Sequence, residues 1–342
     1  MEPRPQFSTV VITDPGTDPD DEMALILMRS LIEDQLIHCP AVIANTSPAI
    51  DRARLARWTL DSLGLESIDV GCGSETTGSA FTSPETEFKR GVDLLQQVYV
   101  RSPAKSIQLL LISKLTDVAD FMHFYERMFV KKTHSVVIMG GVKDVSSAML
   151  EPDEAANNAA DRDAAALVYR RCQELNIRLV IVSRHLAYAC RVPKTLFDSL
   201  ASTGHTLGIH LQSTQRAAVE NCWRRACRTG SDTDGDSACH TKRDKQWFCN
   251  TFCDGCGMDK SPNDEIWDLV LGFHMYDPLA LLAAVPELRC RFFDPIVVRV
   301  KNTDHLVIGI SAKQNGTAEG RTEAVQEFML SGFQRALLLS LA

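Results

Sequence analysis

Residues 9–28 read Thr9-Val-Val-Ile-Thr-Asp14-Pro-Gly-Thr-Asp18-Pro-Asp20-Asp21-Glu22-Met-Ala-Leu-Ile-Leu-Met28. Thr9 to Thr13 is rich in β-branched side chains, which pack well on a pleated surface, and predicts a buried strand. Met23 to Met28, with Leu31 and Ile32, predicts a mostly buried helix. Asp14, Asp18, Asp20, Asp21 and Glu22 crowd the turn between them. A helix N-terminus favours carboxylates through its free N–H groups and its dipole, but one or two of them meet that need. Burying the rest beside a strand end is costly unless a cation neutralises them. Oxygen-only donors on a tight turn suit a hard divalent ion, Ca²⁺ or Mg²⁺, better than zinc.

Outward from this stretch, strands and helices alternate. Strands are expected over 36–44, 67–71, 106–112, 135–139 and 177–182, with helices over 50–63, 88–100, 115–130 and 159–175. This spacing argues for βαβ units: an α/β fold whose mostly parallel, Rossmann-like sheet is covered by helices on both faces. Ligands are then expected at the carboxyl ends of the strands. Helices are also expected over 192–200 and 211–228, a long helical stretch over 265–285, a hairpin over 296–310 and a closing helix over 322–341. The chain reads as one domain over residues 1–342, with 229–263, rich in Gly, Asp, Cys and Lys, as an insertion or lid.

With 342 residues, 45% of them apolar, the chain can bury a sizeable core. A net charge of −8 argues against a nucleic-acid partner. Apolar runs such as Leu109 to Ile112 are too short to span a bilayer, and the N-terminus has no secretory pattern, so a cytoplasmic protein with no membrane partner is expected. Eleven cysteines without such a signal are expected to be reduced. Cys222, Cys227, Cys239, His240, Cys249, Cys253 and Cys256 offer soft ligands for a structural Zn²⁺ in the insertion. Their spacing is irregular, however, and unligated thiols are the main expectation. Asp232 to Asp236 is no EF-hand loop, since Ser237 and Arg243 stand where Gly and Glu are needed.

Asp14-Pro15-Gly16 followed by Asp20-Asp21 and an apolar helix resembles the N-terminal signature of the Ca²⁺-dependent nucleoside hydrolases, Asp-x-Asp-Pro-Gly-x-Asp-Asp. Ile12 stands at its first Asp, and Asp18-Pro19 is a two-residue insertion into it. Further along, Asn45-Thr46-Ser47 resembles that family's Gly-Asn turn, and Leu115-Thr116 its Gly-Pro-Leu-Thr-Asn segment. Met139-Gly140-Gly141 resembles a strand end of the family, and Asn157 with Asp161 its Glu-Phe-Asn-x-x-x-Asp segment, with Ala155 at the glutamate. Asp277-Pro278-Leu279-Ala280 resembles its His-Asp-Pro-x-Ala motif, with Tyr276 at the histidine and His274 two residues earlier.

The resemblance implies hydrolysis of a ribonucleoside to ribose and free base, with a place in purine or pyrimidine salvage. Asp14, Asp21, Asp277 and the Thr116 carbonyl would hold Ca²⁺, with Asp14 as general base. Asp20, Asn45, Asn157 and Asp277 would bind the substrate, and His274 or Tyr276 would assist the leaving base. It also implies a homodimer or homotetramer. A catalytically weak protein that binds a nucleoside or another ribosyl ligand is the alternative, kept open by Ala155, Tyr276 and the insertion before Asp20. A haloacid-dehalogenase-like phosphatase is set aside, because its nucleophilic aspartate would fall on Ile12.

Overall fold

The computed structural model describes residues 7–75, 87–228 and 244–341. In its first half, β1 (Ser8–Thr13), α1 (Asp20–Glu33), β2 (Ala41–Ala44), α2 (Ala49–Ser62), β3 (Asp69–Cys72) and β4 (Lys89–Arg90) precede α3 (Gly91–Arg101). Then come β5 (Ile107–Leu111), α4 (Thr116–Lys132), β6 (Thr133–Gly140), α5 (Ala156–Ala160), α6 (Arg162–Glu174), β7 (Arg178–Ser183) and α7 (Arg184–Ala189). The remainder holds β8 (Val192–Pro193), α8 (Thr195–Ser202), α9 (Thr206–Ala226), α10 (Lys245–Phe252), β9 (Gly272–Phe273) and α11 (Tyr276–Ala284). It closes with α12 (Pro286–Phe292), β10 (Ile296–Val300), β11 (Thr303–Ile308) and α13 (Thr322–Leu339).

The main sheet runs β10-β11-β7-β6-β5-β1-β2-β3-β4 and is parallel except for the β10–β11 hairpin. Strand order reverses at β1, which pairs with β5 on one side and β2 on the other. In such sheets the crevice beyond the carboxyl ends of the strands at the reversal is where ligands bind.

β1 shows why the sheet needs cover on both sides. Val10 and Ile12 join the core under α3, α4 and α6, whereas Val11 joins the core under α1, α11 and α13, and all three are buried. Burial of each such side chain is worth about 1.5–3 kcal/mol. Ile12 thus acts as packing where the resemblance has its first Asp. Inside the sheet, β11 carries a buried His305 whose Nδ1 accepts the Leu179 amide at 3.1 Å. Its Nε2 is buried without a partner, and burial pushes the imidazole pKa down to about 4.

Several expectations need correction. The helical stretch over 265–285 is broken: a 3₁₀ turn (Trp267–Leu269) and β9 come first, and α11 starts only at Tyr276. Gly272 pairs with Pro193 on β8, and a Cβ there would collide with the Val192 carbonyl, so the tertiary contact overrides the apolar pattern. In α11 Met275 is the N-cap and Asp277 lies in the first turn. The single helix over 159–175 is two, parted at Asp161, whose carboxylate accepts the Ala164 amide and caps α6. α7 falls where no element is expected.

Of the insertion, residues 244–263 are described and include α10, whose Phe248 and Cys249 are buried. Cys239, His240 and the Asp232–Asp236 segment lie outside the described residues. No disulfide forms among the described cysteines. Among the described residues no helix is long and apolar enough to cross a membrane.

Candidate active site

The acidic turn after β1 is built by its own backbone. Gly16 takes a φ of +102°, a left-handed value that a residue with Cβ rarely adopts, and turns the chain toward α1. Asp18 accepts the Asp20 amide at 3.2 Å, so the inserted Asp18-Pro19 pair forms the step onto the helix. Arg52 of α2 ties the turn from outside, donating to the carbonyls of Asp14 and Pro15 and to the Thr17 hydroxyl. This role is invisible in the sequence, where Arg52 reads as an ordinary polar position on a helix.

Asp14 is half-buried at the strand end. Asp20, Asp21 and Glu22 are buried in the first turn of α1. Asp21 Oδ1 accepts the Asp14 amide at 2.9 Å and a short hydrogen bond from the Thr13 hydroxyl. Asp20 Oδ2 accepts the amides of Tyr276 at 3.0 Å and Asp277 at 3.3 Å, so the two distant motifs meet here. Asp20 Oδ1 is buried with no partner.

Burial is the main cause that raises the pKa values of these acids. Asp14 is pushed up to about 7, against the pull of Arg52, and Glu22 to about 8. Asp20, Asp21 and Asp277 are also raised well above the ordinary carboxylate value by burial, and then by neighbouring carboxylates: Asp18 acts on Asp20, Asp14 on Asp21, and Asp20 and Asp21 on Asp277. The donor chemistry, oxygen-only and crowded with negative charge, fits a hard divalent cation. Among the described residues, however, no three His, Cys, Asp or Glu side chains already converge into a coordination shell.

Thr116 opens α4, and its hydroxyl donates to Asp161 at 2.6 Å. Asn45 is buried and committed within the protein: its amide donates to Asp117 at 2.8 Å and to the Lys114 carbonyl at 3.1 Å. Asp117 also accepts from the Ser74 amide at 2.9 Å, and a Cβ on Gly73 would lie 2.8 Å from its carboxylate. Lys114 is buried, with its ammonium bonded to the Glu75 carbonyl and its charge acting on Asp117, Asp161 and Asp14. Asn157 is half-buried and donates to the Met139 carbonyl at 3.1 Å. Beside it, Asn158 is buried, with its Oδ1 unpartnered.

At the other rim, His274 Nδ1 lies 3.1 Å from the Ala187 carbonyl. A carbonyl only accepts, so the ring donates to it through Nδ1, and burial lowers the imidazole pKa. Tyr276 is half-buried, its phenol pKa raised by burial and by Tyr188. Tyr188 itself is exposed, with its ring 5.0 Å from that of His274 and 6.3 Å from that of Tyr276. Tyr188 was missed in the sequence, since it lies in a stretch without clear periodicity and only the fold brings it to Tyr276.

The family model described as inosine-uridine preferring nucleoside hydrolase matches residues 10–331. The chain is similar in structure to the type III effector protein XopQ complexed with adenosine diphosphate ribose. They share 26% identity and a TM-score of 0.79 over 98% of this chain and 96% of that one. The effector protein XOO4466 is similar to the same degree, at 26% and 0.79 over 98% and 95%. The purine-preferring ribonucleoside hydrolase from Gardnerella vaginalis shares the fold, with a TM-score of 0.62 at 11% identity over 97% and 99%. No curated protein matches the sequence.

Proposed function

The chain belongs to the inosine-uridine preferring nucleoside hydrolase family, and on that premise we propose that it cleaves the N-glycosidic bond of ribonucleosides. Water adds at C1′, the C1′–N bond breaks, and ribose and free base leave. The observation that carries this reading is the junction of Asp20 with the Tyr276 and Asp277 amides, which brings the acids of both ends of the chain to one crevice.

Asp14, Asp21, Asp277 and the Thr116 carbonyl would hold Ca²⁺. When bound there, Ca²⁺ supplies charge that acidifies water and draws in the ribose hydroxyls. Asp14 takes the proton of the attacking water, since it is the half-buried carboxylate that follows β1, whereas Asp20, Asp21 and Asp277 are buried. Asp20, through its unpartnered Oδ1, and Asn157 accept and orient ribose hydroxyls, while Asn45 holds the Asp117 network that backs them. Positive charge develops on the sugar as the bond breaks, and the surrounding carboxylates favour it. Tyr276 would protonate the leaving base, since His274 turns Nδ1 to the Ala187 carbonyl.

A second reading, a riboside-binding protein with little turnover, draws on two observations. One is the likeness to XopQ, whose structure holds adenosine diphosphate ribose. The other is Ala155, buried where the resemblance has a carboxylate. The test is release of reducing sugar from a panel of purine and pyrimidine ribonucleosides, with and without chelation, by wild type and Asp14→Asn. Calcium-restorable release, lost about 10²–10⁴-fold in the variant, upholds the hydrolase. Tight binding of nucleosides without release overturns it in favour of the binder.

A further inference from the structure

α10 ends in a turn that carries two cysteines. Cys253 is the C-cap of the helix, and its amide and that of Gly255 both donate to the Cys249 carbonyl, at 3.0 and 2.9 Å. The Cys256 amide then donates to the Cys253 carbonyl at 2.9 Å, which closes the turn Cys253-Asp254-Gly255-Cys256. Asp254 and Gly255 both take positive φ values, 48° and 85°, the pattern of the two central residues of a type I′ turn. Arg191 holds the turn from outside by an ion pair with Asp254 at 2.7 Å.

Such a turn brings its first and last Cα atoms within about 7 Å. A disulfide spans Cα separations of roughly 4.4–6.8 Å, so the backbone already holds the two cysteines near bonding range. The two thiols differ in access. Cys256 is exposed, whereas Cys253 is only 1% exposed. Burial, and then Cys249 and Cys256, push the Cys253 thiol up to about 11. At neutral pH Cys253 therefore stays protonated, while a small oxidant reaches Cys256. Cys249 is the third sulfur nearby, but it is fully buried one helical turn before Cys253 and lies outside the turn.

We propose that Cys253 and Cys256 form a peroxide-reactive dithiol that closes to a disulfide and clasps the end of α10. The Cys256 sulfur attacks the O–O bond of hydrogen peroxide; it keeps one oxygen as a sulfenic acid, and the other leaves as water. The Cys253 thiol then attacks that sulfur: the S–S bond forms, the S–O bond breaks, and a second water leaves with the Cys253 proton. Two thiols give up two electrons and two protons, and one peroxide becomes two waters. The clasp lies beside the acidic crevice, because Phe252, next to Cys253 in the chain, lines a cavity of about 200 Å³ that Asp20 and Tyr276 also line. Nothing in this chemistry depends on what the crevice binds.

The test treats the reduced full chain with hydrogen peroxide, alkylates the remaining thiols in denaturant and sequences the tryptic fragment 246–260. Within it, label is expected on Cys249 alone, with Cys253 and Cys256 joined and both recovered by dithiothreitol. Cys290, exposed on α12 with no second cysteine within four residues, is the internal comparison and should stop at a sulfenic or higher acid. In Cys253→Ser, a dimedone adduct should accumulate on Cys256. In Cys256→Ser, which alters only an exposed side chain, Cys253 should stay reduced. The amides of Cys253 and Gly255 should exchange at least about threefold more slowly in the oxidised chain. A Cys249–Cys256 link, a disulfide between two chains, or Cys256 oxidised past the sulfenic acid with Cys253 still reduced overturns the proposal. Unchanged exchange of the two amides overturns the clasp.

Discussion

Asp20 accepts the backbone amide of Tyr276 at 3.0 Å, although 256 positions separate the two residues. With the Asp277 amide on the same oxygen, the first turn of α1 caps the first turn of α11. Asp20→Ala should therefore cost about 1–2 kcal/mol of stability, as loss of a helix cap does, whereas Asp20→Asn keeps an acceptor and should cost less. Urea denaturation of the two variants checks this. Equal midpoints would show that the cap carries no weight.

If the crowd of buried acids holds calcium as proposed, the ion stabilises the fold as well. Anything that binds the folded state alone adds about 2.7 kcal/mol at one hundred times its dissociation constant. Thermal melts at pH 8 should shift upward when calcium replaces a chelator, and Asp21→Asn should abolish the shift. Coincident melts of the wild type with and without calcium would count against a metal at this turn.

Asn45 offers a way to separate fold from binding. Its amide satisfies Asp117, which is 1% exposed and otherwise held by Ser74. Asn45→Ala should destabilise the ligand-free protein by about 1–3 kcal/mol, because it leaves a buried carboxylate short of a donor. If instead the variant melts like wild type and loses only affinity for ribosides, Asn45 works on the ligand alone.

His305 predicts the acid side of the stability curve. Its pKa falls from 6.5 in the unfolded chain to about 4 in the fold, so below pH 6.5 the unfolded state binds more protons. The stability at stake is fully present above pH 6.5 and is lost as pH falls toward 4. It amounts to roughly 2 kcal/mol after allowance for partial screening. His305→Gln should flatten the loss between pH 6.5 and 4 in thermal melts. An unchanged acid limb would assign it to other groups.

The sheet could be read in the sequence because β1, β5, β6 and β7 carry short apolar runs of Val, Ile and Leu buried on both faces, and their length and their spacing from the helices mark them. The acidic turn was legible for a similar reason: Asp14, Asp20 and Asp21 lie within one local stretch. What escaped depends on distant partners. β9 shows no pattern of its own and exists because Gly272 lies against Val192. Asn45 reads as a turn residue, and only the fold reveals its bond to Asp117.

The strand reversal at β1 divides the molecule's heredity. The floor of the crevice comes from residues near Asp14 and Asp277, and the helices beside it, α9 and α10, come from a separate tract of chain. Substitutions in that tract leave every candidate metal carboxylate in place. On the hydrolase reading, a lineage with this architecture is free to vary that tract while keeping its sugar chemistry. Recombining α9–α10 segments between relatives is then a practical way to vary that tract over unaltered candidate metal carboxylates.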